Sequence, residues 1–255
     1  MQGTRRAMAS LLRPRSPALR RLLAAALFLL ASALAHPFGK AANKRLADVT
    51  LRLAPPALRA VLLARRSQLD RGLANGLSKG EASDRAALAD EAQREYDLLP
   101  TLPKTQAPLD EIAYHFGRMA GLIYAANDPL RFGSDARAGQ VRADYLRYVE
   151  RKLPLMVFAF DGYGAPPLGE DLRGYLLRRM EGSARYGQAV LFCYFPEGGG
   201  RARSETFDDR SNAFGVAQVS LSHAASDAAK AWLNAWKAMD GDLSATPYYT
   251  GGRPR

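Results

Sequence analysis

The apolar positions of this chain recur at helical spacing along most of its length, and the pattern is sharpest over 109–131, LDEIAYHFGRMAGLIYAANDPLR. Leu109, Ile112, Ala113, Phe116, Met119, Ala120, Ile123 and Ala126 fall at i, i+3, i+4, i+7 and share one face. The spacing predicts a core helix, ended by Asn127-Asp128-Pro129. A second stripe on the same helix holds Gly117, Gly121 and Ala125 and carries almost no side chain. Glycine inside a helix costs about 1 kcal/mol relative to alanine, so close helix packing or a cavity is expected there.

The same reading places a helix over 41–53, on Leu46, Val49 and Leu53, broken by Pro55-Pro56, which suit the first turn of the next. That next helix covers 57–74 and is stopped by Asn75-Gly76. Ser83 caps a polar, surface-lying helix through 96. A long pattern from about 140 runs past a kink at Pro154 to Phe160, and a Pro/Gly loop spans 162–169. A helix over 170–195, a surface loop near 196–212 and a last helix over 214–239, with Gly241 as its stop, complete the chain. No sustained period-two run, repeat or low-complexity block interrupts this. The fold class is all-α, a multi-helix bundle.

Composition allows a single domain. The chain has 255 residues, 47% hydrophobic and 24% charged. Its net charge of +11 is misleading, because Met1–Ala35 holds six of the 36 bases and no acid. The remainder has 30 bases against 25 acids, a net +5 that is an ordinary solvated surface and no strong nucleic-acid signal. Residues 1–35 read as a signal peptide. Arg20-Arg21 precede the apolar run 22–30, and Ala33-Leu34-Ala35 supplies the small-x-small cleavage site, so the mature chain begins at His36. The start is Met1 or Met8, and Arg5-Arg6 is a weak twin-arginine signal. The apolar run is short for a bilayer span, and no later segment reaches one. The mature single domain, 36–255, is expected to be periplasmic or secreted, without a transmembrane anchor.

Few residues are suited to chemistry. There are three histidines. His36, as a new N-terminus, offers an amine, a carbonyl and an imidazole to one metal ion. His115 can pair with Glu111 one turn before it. His223 and Asp227 lie on a polar stripe of the last helix with Ser220, Lys230 and Asn234. They can share a metal, act as an oriented base with its carboxylate, or simply belong to a solvated face. The lone Cys193, in AVLFCYF, excludes a disulfide framework and reads as a buried, inert thiol. No Gly-x-Ser-x-Gly, His-Glu-x-x-His or Rossmann pattern occurs, and Gly198–Gly200 lack the context of a phosphate loop. Ser204 and Ser211 have no identifiable base, and Asp208-Asp209 reads as well as a turn.

The stretch GLIYAANDPLR resembles the central helix of the zinc-dependent phospholipase C and fungal single-strand nuclease superfamily. In that family a histidine is followed by an aspartate four residues on and by a Pro-Leu-His ending. Here Asn127, Pro129 and Leu130 keep the frame, while the ligand positions read Gly121, Ala125 and Arg131. The beginning, HPFGKAANKRLADVTLRLAPP, is similar too, with His36 at the terminal ligand position and Asn43 at a histidine position. In EAQREYDLLP, Glu95 is the counterpart of another ligand. The resemblance spans 36–148 and, more weakly, the last helix.

It implies a helical secreted fold, three zinc ions and phosphodiester hydrolysis. The ligand positions Asn43, Gly121, Ala125 and Arg131 are degenerate, and glycine and alanine have no donor atoms at all. Arg131 can restore charge there by pairing with Glu95 or holding a phosphate. The leading expectation is therefore an exported, non-catalytic binding or structural protein. One alternative is a surviving zinc phosphodiesterase, acting on a phosphodiester, with a site built from His36, Glu95, His223 and Asp227. Another is a binder of anionic lipid headgroups or nucleic acid.

Overall fold

The computed structural model describes residues 38–164, 168 and 171–250; the expected signal peptide at 1–35 and His36 lie outside them. Among the described residues there are eight α-helices and no strand. In chain order the helices are α1 (Lys40–Leu53), α2 (Pro56–Ala64), α3 (Arg66–Ala82), α4 (Arg85–Leu98), α5 (Leu109–Ala126), α6 (Arg137–Lys152), α7 (Leu172–Tyr194) and α8 (Asn212–Ala238). Short 3-10 turns follow α4 and α6 and precede α8. The fold is all-α, and the described residues belong to one compact unit, His36–Arg255.

The central element is α5, packed most extensively on α3 and also on α4 and α8. Its apolar face enters the core as expected from Ile112 to Ala126, but Leu109 at its first turn is exposed. Trp232 of α8 meets Phe116 edge to face at 6.0 Å and donates its indole N–H to the Phe116 carbonyl at 3.0 Å. Burying a tryptophan is favourable only when that N–H finds an acceptor, so this bond sets the height of α8 against α5. Tyr124 does the same toward α1, with its hydroxyl 2.8 Å from Thr50 Oγ1.

Several element boundaries differ from the sequence reading. Asn75-Gly76 stops nothing. The break comes at Arg65 (φ −119°, ψ 32°), and α3 then runs straight through both residues. The cap of α4 is Asp84, whose carboxylate accepts the Ala87 N–H at 2.8 Å, while Ser83 closes α3 by donating to the Lys79 carbonyl at 2.9 Å. Nor is α4 merely surface-lying, since Glu91 and Glu95 are buried. Cys193 is only half-buried, its thiol 3.5 Å from the Ala189 carbonyl.

Pro154 ends a helix here instead of kinking it. Proline keeps the preceding residues out of a continuing helix and has no N–H to contribute. Thus α6 stops at Lys152, a 3-10 turn follows, and Met156 is extended (φ −83°, ψ 131°). The segment beyond lies along α8. Val157 donates its backbone N–H to Gln218 Oε1 at 3.2 Å, Ala159 to Ser222 Oγ at 3.1 Å, and Asp161 to Ser226 Oγ at 3.4 Å. Alternate amides of an extended chain point the same way, and every fourth residue of a helix lies on one row, so the two register.

The last helix closes with Asp240, not Gly241, in the left-handed region (φ 57°). Asp240 N–H reaches the Lys237 carbonyl at 3.1 Å and Gly241 N–H the Trp236 carbonyl at 2.9 Å, the paired bonds of a Schellman ending. The loop 196–212 is at the surface but tied down. Ser204 is buried, donates its backbone N–H to Asp144 at 3.1 Å, and accepts from Arg151 at 2.9 Å. Ser211 caps α8, and Asp208 accepts the Arg210 N–H at 3.0 Å as a turn residue.

Candidate functional site

The residue-poor stripe of α5 faces an equally bare stripe on α3. Gly72, Gly76 and Gly80 of α3 and Gly117, Gly121 and Ala125 of α5 stand four apart on their own helices. A Cβ added at Gly121 would lie 2.5 Å from the Leu73 carbonyl oxygen, and one at Gly80 would lie 2.5 Å from Ala125 Cβ. At Gly72, Gly76 and Gly117 the carbonyls of Tyr114, Arg118 and Leu69 stand closer still. The two backbones are thus in direct contact. Glycine hydrogens aimed at carbonyl oxygens, together with backbone van der Waals packing, offset the helix-propensity cost of the five glycines.

Glu95 lies beside this contact. His115 Nδ1 is 2.7 Å from its Oε2, and Arg118 pairs with both Glu95 and Glu91. Arg118 Nε also donates to Asn75 Oδ1 at 2.8 Å. His115 therefore takes Glu95 as its partner, in place of Glu111. Burial lowers the imidazole below its ordinary value, against the opposing charge of Glu111. Burial would raise Glu91, but Arg94 and Arg118 outweigh it and hold that carboxyl low. Both carboxylates of this cluster are thus held by Arg118.

Asp227 is fully buried and fully used. Its Oδ1 accepts from Tyr175 at 2.5 Å and Arg179 Nη2 at 2.9 Å, and its Oδ2 from Arg179 Nε at 2.8 Å and Asn127 Nδ2 at 3.1 Å. Such a bidentate arginine pair with added hydrogen bonds is the form in which a buried carboxylate is tolerated. Burial alone would lower Arg179, and Asp227 reverses this and raises it. His223 makes no hydrogen bond to Asp227 and packs near Tyr186, ring centroids 6.2 Å apart. Burial, then Arg179, push it below its ordinary value, against Asp227 and Asp161.

Arg131 pairs with Glu81 at 3.1 Å, not with Glu95. Its guanidinium also donates to the carbonyls of Gly80 and Ser83, capping the end of α3. Arg142 completes the group by bridging Glu81 and Asp128. Comparison of the chain with protein-family models, curated proteins and solved structures finds no match.

The sequence candidates thus divide among separate clusters. Glu95 belongs with His115 and Arg118, Asp227 with Asn127, Tyr175 and Arg179, and Arg131 with Glu81 and Arg142. His36 lies outside the described residues. Among the described residues, no group of three or more His, Cys, Asp or Glu side chains stands placed to hold a metal ion. Sequence reasoning missed the arginines that complete each cluster. The only advance sign was that Tyr175 and Arg179 stand four apart, facing the same partner.

Asn43 differs from the other candidates. It is buried, both atoms of its carboxamide lack a partner, and it lines a cavity of about 270 Å³ with Lys40, Lys44, Arg66, Asp70, Leu73, Ala74 and Leu77. Two further openings, of about 330 Å³ beside Phe158, Phe160 and Tyr248 and about 580 Å³ beside Arg85 and Phe132, are without such an orphaned group.

Proposed function

We propose that this chain is an exported helical protein of phospholipase C and nuclease-like ancestry that has lost the trinuclear zinc site and acts as a non-catalytic binding or structural protein. One observation carries the reading. The ancestral ligand positions Gly121 and Ala125 are filled by the backbone contact with α3, where a Cβ at Gly121 would already be 2.5 Å from Leu73 O. A zinc ligand there would have to push the two helices apart. The residues present do not fit a trinuclear zinc site, since Arg131 caps a helix end and Glu95 and Asp227 are held by arginines.

Export rests on the signal pattern at 1–35. Among the described residues no helix is long and apolar enough to cross a membrane. The test is the metal content of the protein beginning at His36, untagged at that end, by plasma mass spectrometry after exposure to zinc and dialysis. The expected result is no stoichiometric zinc. A stoichiometric ion that is lost on replacing His36 or His223 would overturn the reading in favour of a relocated hydrolase site.

A further inference from the structure

A pocket of about 330 Å³ lies where α1, the segment 157–161 and the chain beyond α8 meet. Val49 and Leu53 of α1 and Ala225 of α8 are buried and form its apolar base. Its walls are rings. Phe158 and Phe160 rest half-buried on the core, and Tyr248 stands against Phe160 with ring centroids 5.7 Å apart. Phe160 is braced by Tyr163, edge to face at 4.8 Å, and Tyr163 donates its hydroxyl to the Leu53 carbonyl. Tyr248 is 73% exposed and holds φ 60°, a conformation rare for a bulky residue. A concave site of this size, with mostly apolar walls and few polar groups, is the common form of a small-molecule site.

Among its described lining residues Arg52 carries the only charge, and none is an acid. Arg52 has no hydrogen bond, ion pair or ring contact among the described residues. Asp48, one turn before it, is taken by Lys44 at 3.4 Å and Arg66 at 3.0 Å. We propose that this pocket binds a small aromatic carboxylate, its ring among Phe158, Phe160 and Tyr248 and its carboxylate on the Arg52 guanidinium. Aromatic walls also attract cations, but here Arg45 already lies over the Phe158 ring at 5.9 Å, and a second cation would face Arg52 with no acid to receive it. An aliphatic acid would keep the pairing with arginine and lose the ring-to-ring contacts. Size agrees as well. At about 30 Å³ for each water-sized position, the pocket holds about eleven non-hydrogen atoms, roughly the dimensions of 3-phenylpropanoate. This ligand class rests on the non-catalytic binding role proposed above, and the two fail separately. Stoichiometric zinc together with binding of 3-phenylpropanoate would overturn that role and leave the pocket standing; no zinc and no binding would do the reverse.

The test is calorimetric titration of the chain from His36 with 3-phenylpropanoate, with 3-phenylpropylamine, which has the ring and the opposite charge, and with hexanoate, which has the charge and no ring. The first is expected to bind one to one, with each analogue weaker by about tenfold or more. Arg52→Gln and Tyr248→Ala are each expected to weaken 3-phenylpropanoate by about tenfold, and because both side chains are exposed, both variants should melt with the unaltered protein. Arg52→Gln should also bring the acid and the amine closer together in affinity, which a loss of packing alone would not do. No heat with 3-phenylpropanoate at millimolar concentration, equal binding of either analogue, or unchanged affinity in the two folded variants would overturn the proposal.

Discussion

A glycine can be costly for a helix and still be the only residue its surroundings accept. Gly121 shows both sides. Alanine there should favour the isolated helix by about 1 kcal/mol, but its Cβ would meet the Leu73 carbonyl at 2.5 Å, and that carbonyl belongs to a helix that cannot yield locally. Overpacking a rigid contact costs typically about 1–3 kcal/mol, so Gly121→Ala should destabilise the protein by roughly that amount in urea unfolding. Unchanged or increased stability would mean that α3 and α5 are not in backbone contact. This feature was legible in the sequence, because a stripe of Gly117, Gly121 and Ala125 with no side chains already asked for a close neighbour. Asn43 was not legible in the same way. An orphaned buried amide costs about 1–3 kcal/mol, and whether an asparagine is orphaned depends on what reaches it in three dimensions.

Whole elements were harder to bound than to recognise. Asn75-Gly76 carries a strong local signal for a chain reversal, yet α3 continues through it because Gly76 packs on the Arg118 carbonyl and Asn75 Oδ1 holds the Arg118 guanidinium at 2.8 Å. Tertiary packing overrides local preference there, and it does so through a residue 42 positions further on in sequence, counting from Gly76 to Arg118. The polar stripe of α8 shows the same limit. Of its members Ser220, Asp227 and Lys230 are buried and His223 and Asn234 half-buried, so the stripe, with the neighbouring buried Ser222 and Ser226, is a docking face for other parts of the chain. Replacing both Ser222 and Ser226 with alanine removes two of the three acceptors for the segment 157–161. Its amides should then exchange hydrogen faster, by at least about tenfold at Ala159 and Asp161, with little change in the global melting temperature. Exchange as slow as in the unaltered protein would show that the segment is held by something other than these serines.

At the scale of the molecule, buried carboxylates are held by arginines, while the buried Lys230 meets Asp161 at 3.1 Å. Each arginine binds acids far off in sequence: Arg118 joins α5 to α4, Arg142 of α6 and Arg131 just past α5 meet Glu81 of α3, and Arg179 joins α7 to α8. His223 sits beside one of these ties, with burial first and then Arg179 and Lys230 opposing its protonation, and Asp227 and Asp161 favouring it. Its folded pKa is depressed below an unfolded value near 6.5, so the unfolded chain binds more protons in the window below that pH. Its contribution is therefore complete above about pH 6.5 and declines as the pH falls through the depressed folded value. Urea midpoints measured from pH 8 to pH 5 should fall on the acid side, and His223→Gln should flatten that part of the curve; an identical slope in the variant would exclude His223 as its source. The seam between the segment 157–161 and α8 has a further consequence for how the chain is routed. Two residues of extended backbone advance about 6.6 Å, while four residues of helix advance about 6.0 Å. Like the two scales of a vernier, they agree at one mark and part by about 0.6 Å at each mark beyond it. The chain can follow the helix for only a few rungs before it must turn away, and Gly162, in the left-handed region at φ 82°, stands one residue past the last of them.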